Sequence, residues 1–155
     1  MSQMRMYTVA DDDLFLRRKA EPVKKVDSAL RRKLDEMIAF MRKSKGVGLA
    51  APQIGDSRRF FVAEFDGQVF KIINPRVVAS GSEVDVCDEG CLSVPGKYVD
   101  VSRPTEITLE FTDEKGRMYE ADVGGYLARI FQHEIDHLDG VLMIDRGTES
   151  VRRKK

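Results

Sequence analysis

The segment FQHEIDHLDG, residues 131–140, holds both histidines of the 155-residue chain, His133 and His137, one helical turn apart with Glu134 beside the first. The pattern from Tyr126 to Leu138 predicts a helix, opened by Gly124-Gly125 and closed at Gly140. Placing Leu127 at zero and advancing about 100° per residue gathers Leu127, Ile130, Phe131, His133, Glu134, Ile135, His137 and Leu138 into one broad sector. Arg129, Gln132, Asp136 and Asp139 fall on the other, polar side. A carboxylate and two imidazoles thus share the face that should seek the core, where such groups are costly unless something compensates them. A divalent metal does so: imidazoles at i and i+4 point their nitrogens at one place, and a glutamate next to the first reaches a water there as general base. The blander reading, two polar histidines on a half-exposed helix with Glu134 paired to an arginine, sits less well with the apolar sector.

Two imidazoles alone make an open, weak site, so a third ligand is needed. The sequence HEIDHLDGVLM overlaps the template HExxHxxGxxH, but Met143 stands where the third histidine would be, and a thioether is a poor ligand for a hard or borderline cation. A glutamate from a following helix is not on offer, because only Glu149, in a polar tail, comes after His137. The ligand should come from upstream, and a cysteine thiolate is the best candidate. Cys91 lies in EGCLSVPG, between Gly90 and a Pro-Gly turn, a setting that exposes backbone N–H groups beside the sulfur. Cys87 lies in the strand-like EVDVCD, where a small buried or edge cysteine needs no function. The reading favours Cys91 as ligand.

Two cysteines cannot form a disulfide framework, and 26 Lys plus Arg balance 26 Asp plus Glu, which removes the broad positive field of a nucleic-acid-binding surface. The apolar runs are far short of the ~20 residues a membrane helix needs, and MSQMRMYTVADDD has no apolar signal core. A cytoplasmic protein is the expectation, organellar if a targeting segment has been removed. One domain over residues 1–155 is expected, with 146–155 a frayed polar tail.

Along the chain, Leu30, Leu34, Met37, Ile38 and Met41 recur at helical spacing between a cap at Asp27 or Ser28 and Gly46. Arg59–Phe65 and Val69–Ile73 read as a hairpin across Asp66-Gly67, and 106–111 with 118–123 as a second around DEKG. The fold expected is α+β: antiparallel sheets around a central C-terminal helix that carries HExxH, with an N-terminal helix. In GVGLAAPQIG the glycines are too widely spaced for a phosphate loop, and small residues there permit close approach of an extended peptide backbone.

Three segments together resemble the peptide deformylases: Gly46-Val47-Gly48-Leu49-Ala50-Ala51-Pro52-Gln53 for GxGLAAxQ, Glu89-Gly90-Cys91-Leu92-Ser93 for EGCLS, and Gln132 to Gly140 for QHExDHLxG. They occur in the family's order, and the resemblance spans roughly residues 14 to 145. It implies a metal-dependent hydrolase that removes the N-formyl group from the initiator methionine of nascent polypeptides and releases formate. By the same resemblance Cys91, His133 and His137 hold one divalent metal, iron(II) first, with zinc, nickel or cobalt compatible. Glu134 is then the general base. The side chain of Gln53 and the N–H of Leu92 receive the oxyanion. Gly48 meets the peptide backbone, and Val47, Ile130 and the stem of Arg129 border the methionine pocket. Glu89 and Arg103 are expected to pair and hold the Cys91 segment.

The expected partner is a formyl-Met nascent peptide, with no membrane, no primary nucleic-acid role and a monomeric state; were a C-terminal element to make transient ribosome contact, only the short VRRKK could serve. One departure bears on substrate: many members carry an arginine shortly after the proline of the second motif, where this chain has Lys97-Tyr98. Two other classes remain. A zinc peptidase of unfamiliar type leaves Gln53 and EGCLS unexplained, and a non-enzymatic metal-stabilised module predicts that Glu134→Gln changes no turnover.

Overall fold

A computed structural model describes residues 4–149. The elements in chain order are α1 (Val9–Leu16), α2 (Ser28–Lys43), β1 (Gly48–Ala50), a 3-10 turn (Ala51–Ile54), β2 (Phe60–Phe65), β3 (Gln68–Ser80), β4 (Val84–Cys91), β5 (Val94–Pro104), β6 (Glu106–Thr112), β7 (Met118–Gly124), α3 (Gly125–Leu138), α4 (Met143–Arg146) and β8 (Thr148–Glu149). The strands form two antiparallel sheets, one in the order β1-β2-β3-β6-β7 and one in the order β4-β5-β8.

The apolar run Phe60-Phe61-Val62-Ala63 shows why the larger sheet is covered on both sides. Successive strand residues face opposite ways, so Phe60 and Val62 pack with Leu30, Leu34, Met37 and Met41 of α2. Phe61 and Ala63 pack instead with Ile130, Phe131, Ile135 and Leu138 of α3. Phe131 sits between the rings of Phe61 and Phe70, edge to face with each at 5.3 Å. Both predicted hairpins form; at the first, Asp66 (φ 52°) and Gly67 (φ 76°) take the two left-handed positions that a tight two-residue turn requires.

Helix α2 is capped by Asp27, whose carboxylate accepts the Leu30 N–H at 2.9 Å. Its C-terminal left-handed residue is Lys45 (φ 60°), one position before the expected glycine. Gly46 serves another purpose, since a Cβ there would stand 2.9 Å from Leu92 Cδ1. Helix α1 is not among the elements expected from the sequence. The three aspartates obscure its one buried contact, Leu16. The pairing of β4 with β5 was likewise not foreseen, because no Asn-Gly or Asp-Gly marks the turn between them.

Helix α3 lies between the two sheets, and this corrects the helical wheel. Arg129 and Asp136, assigned to the polar side, are only 5% and 6% exposed. Each bonds to the smaller sheet: Arg129 donates to Val101 O at 3.0 Å and to Asp85, and Asp136 accepts from Arg103 at 2.9 Å. A helix wedged between two sheets has no solvent face over much of its length, so its second side is filled with paired ions instead of apolar groups. In the tail, Val99 and Asp100 of β5 pair with β8, so residues 148–149 are strand; the VRRKK segment lies outside the described residues.

Candidate metal centre and active site

His133 and His137 project from α3 toward the end of β4, where Cys91 closes the strand. One donor atom from each of Cys91, His133 and His137 lies within 4.8 Å of the others, with Cys91 Sγ 3.2 Å from His137 Nε2. The ring centroids of the two histidines are 5.2 Å apart. Burial pushes the Cys91 thiol up, but the neighbouring imidazoles of His137 and His133 outweigh it and hold it well below the ordinary thiol value. A thiolate and two imidazoles at this separation fit a first-row divalent ion, whose bonds to such donors are about 2.0–2.3 Å. Cys87, four residues earlier on β4, takes no part in the cluster.

The tautomer of His133 is set from outside. Glu89 Oε1 lies 2.9 Å from His133 Nδ1, so a proton on Nδ1 leaves the Nε2 lone pair free for a metal. Glu89 is itself held by Arg103 Nε at 2.6 Å, Arg103 Nη2 at 2.9 Å and Arg129 Nη1 at 2.5 Å. Burial would raise the Glu89 carboxyl, but the Arg103 bonds and those of His133 overcome it and hold the group well below the usual carboxylate range. Arg103 also reaches Asp136, which Arg146 grips from α4 at 2.5 and 2.9 Å. The expected Glu89–Arg103 pair is therefore one link in a buried chain that fixes both the strand carrying Cys91 and the helix carrying the histidines. Glu89→Ala is expected to weaken metal binding by about 10- to 100-fold, read as the metal dissociation constant by competition with a chelator. An unchanged constant would show that Glu89 only packs the sheet.

Glu134 is buried, and its Oε1 has no hydrogen-bond partner among the described residues. Burial raises its pKa, with the imidazoles of His133 and His137 opposing. Its other oxygen explains Gly48, because a Cβ on that residue would stand 2.5 Å from Glu134 Oε2. The glycine that the sequence allotted to a peptide backbone thus makes room for this carboxylate. Gln53 is anchored at Oε1 by the Ala50 N–H, 2.9 Å, which turns its amide nitrogen toward Cys91 Sγ at 3.7 Å and Ser93 Oγ at 3.1 Å.

Gln53, Cys91, His133 and Glu134 meet at a cavity of about 680 Å³, lined also by Val47, Gly48, Leu92 and Ile130. His137 lies behind this wall, 1% exposed. Val47, Leu92 and Ile130 supply an apolar side, Arg129 joins them despite its place on the wheel, and Lys97 and Tyr98 reach the cavity as well. The sequence reading missed Ser93, Asp136 and the role of Arg129 as a partner of Glu89. The only available signal was that Arg129 and Asp136 are charged residues beside the histidines, which a single wheel assigned to water.

Fold and site together define a class: small α+β proteins in which a thiolate and the two imidazoles of an HExxH helix converge beside a buried glutamate. The family model for polypeptide deformylase matches residues 5–153. The chain is 44% identical over 134 residues to the peptide deformylase of Thermotoga neapolitana, covering 86% of this chain and 82% of that protein. Its structure superposes on the crystal structure of peptide deformylase from Thermotoga maritima with a TM-score of 0.91 at 40% identity, covering 96% and 99% of the two chains. For the peptide deformylase of Synechococcus elongatus in complex with actinonin the TM-score is 0.89 at 37% identity, with 95% and 80% covered. The chain belongs to the polypeptide deformylase family.

Proposed function

We infer that this chain is a metal-dependent peptide deformylase, removing the N-formyl group from the N-terminal methionine of nascent polypeptides and releasing formate. The observation that carries the reading is the convergence of Cys91, His133 and His137 beside a buried glutamate whose Oε1 no donor among the described residues satisfies. Cys91, His133 and His137 would hold a divalent ion, which would supply Lewis-acid polarisation of the formyl oxygen and a more acidic water.

The chain's own residues do the rest. Glu134 accepts the proton released as the water oxygen adds to the formyl carbon. It returns that proton to the amine nitrogen as the C–N bond breaks, giving formate and a free N-terminus. The Gln53 amide and the Leu92 N–H receive the negative charge that develops on the former carbonyl oxygen. Val47, Leu92 and Ile130 provide the apolar wall for the methionine side chain, which excludes water from it. The buried Glu89–Arg103–Asp136 chain keeps His133 in register throughout.

Iron(II) is proposed as the native ion. The donor set suits zinc, nickel and cobalt equally, and iron carries a distinct consequence, loss of activity in air through oxidation of the metal and then of Cys91. The protein is expected to act as a monomer. Among the described residues no helix is long and apolar enough to cross a membrane. Anaerobically purified protein is expected to release one formate per formyl-Met-Ala-Ser, to lose activity on chelation and to regain it with ferrous ion. Protein that carries a stoichiometric metal yet releases no formate would remove the deformylase reading and leave a metal-stabilised binding protein.

A further inference from the structure

Ser93 closes the EGCLS segment, and neither the metal cluster nor the apolar wall uses it. It is fully buried, and its neighbour Gln53 is 2% exposed. The Gln53 side chain has three torsions once its backbone is placed, so its amide needs contacts to hold it in one orientation. The Ala50 N–H on Oε1 decides which end of the amide points inward. The remaining question is where the two hydrogens of Nε2 go. One goes to Ser93 Oγ at 3.1 Å, and the other is directed to Cys91 Sγ at 3.7 Å, beside the cavity. The Ser93 hydroxyl turns its own hydrogen toward Met6 Sδ at 4.0 Å, which leaves an oxygen lone pair to accept from Gln53. The segment leading into the start of α1 stitches the two residues together through the backbone: Tyr7 N–H donates to Gln53 O at 2.7 Å and Val9 N–H to Ser93 O at 2.9 Å.

We propose that Ser93 is a positioning residue for the reaction: its hydroxyl occupies one hydrogen of the Gln53 amide and thereby holds the other on the Cys91 side of the cavity, where the formyl oxygen becomes charged. The inference rests on the reading of Gln53 as an oxyanion donor. A preorganised donor is effective because it need not reorient as charge develops, and a donor free to swing loses that advantage while still occupying the same space. The backbone bonds from Tyr7 and Val9 do not involve the hydroxyl, so Ser93→Ala removes the aiming contact and leaves the segment tied.

The test is a double-mutant cycle in zinc-loaded protein, with Ser93→Ala, Gln53→Ala and the pair assayed on formyl-Met-Ala-Ser. Ser93→Ala is expected to lower kcat about tenfold with KM nearly unchanged. Added to Gln53→Ala, it should change kcat by less than about twofold, because the group it aims is gone. Apart from turnover, the Gln53 side-chain amide protons should exchange with solvent faster in Ser93→Ala than in wild type, followed by NMR. Equal losses of kcat in both backgrounds, or no loss in either, would overturn the proposal. A Gln53→Ala protein with wild-type kcat would overturn the oxyanion reading itself, and the amide exchange would still report whether Ser93 holds Gln53. Thermal midpoints of the same samples separate a folding defect from these outcomes.

Discussion

Glu134→Gln is expected to lower formate release by roughly 10³- to 10⁴-fold while metal content stays at one ion per chain. Glutamine has nearly the same shape, so α3 and the three ligands are undisturbed, but an amide cannot take the proton from the attacking water. The same substitution should leave stability equal or higher. Glu134 is 4% exposed and its Oε1 lacks a partner among the described residues, so the carboxylate is held in the interior at a greater cost than an amide would incur. The fold tolerates that cost because the reaction needs the group, a familiar conflict between activity and stability. Turnover, metal analysis and the thermal midpoint should be read on one preparation. Turnover above a tenth of wild type would end the role of Glu134 as base. Loss of the metal together with turnover would make the residue structural instead.

The fold was legible in the sequence wherever one periodicity ruled a segment. Helix α2 has a single buried stripe and an aspartate cap, and the Asp66-Gly67 turn needs two left-handed residues that few other pairs supply, so both could be placed from local chemistry. The cluster of Cys91, His133 and His137 that could hold a metal was legible for a different reason: the chain has two histidines and two cysteines, and spacing leaves few ways to combine them. What could not be read was long-range. Arg129 and Asp136 look solvent-bound until a second sheet covers their side of α3, and nothing local to the helix announces that sheet. Its strands β4 and β5 carry many exposed residues, among them Val84 and Val86, so their alternation does not mark an interior face. Ser93 and Gln53 lie 40 positions apart in sequence, and their contact is a product of the N-terminal segment running past both.

Gly48→Ala is expected to cut turnover by about 100-fold or more with the fold intact, and it separates two meanings of the glycine-rich segment. Gly48 is not among the residues with positive φ, so an alanine there meets no backbone strain. It meets Glu134: the new Cβ would stand 2.5 Å from Oε2, 2.9 Å from Cδ and 3.0 Å from Cγ. Strand β1 cannot retreat, because Leu49 and Ala50 beside it are fully buried and its register against β2 is fixed at Ala63, Val62 and Phe61. The side chain that yields is therefore Glu134, and a displacement of an ångström takes its carboxylate away from the water it must deprotonate. Gly67→Ala provides the contrast. With φ at 76° and nothing within 4 Å of a Cβ, it should destabilise the hairpin by about 1 kcal/mol and leave kcat unchanged. If Gly48→Ala raises KM with kcat intact, the glycine serves the peptide backbone, as its sequence context suggested. If kcat falls and KM holds, the missing Cβ is the space in which the general base stands.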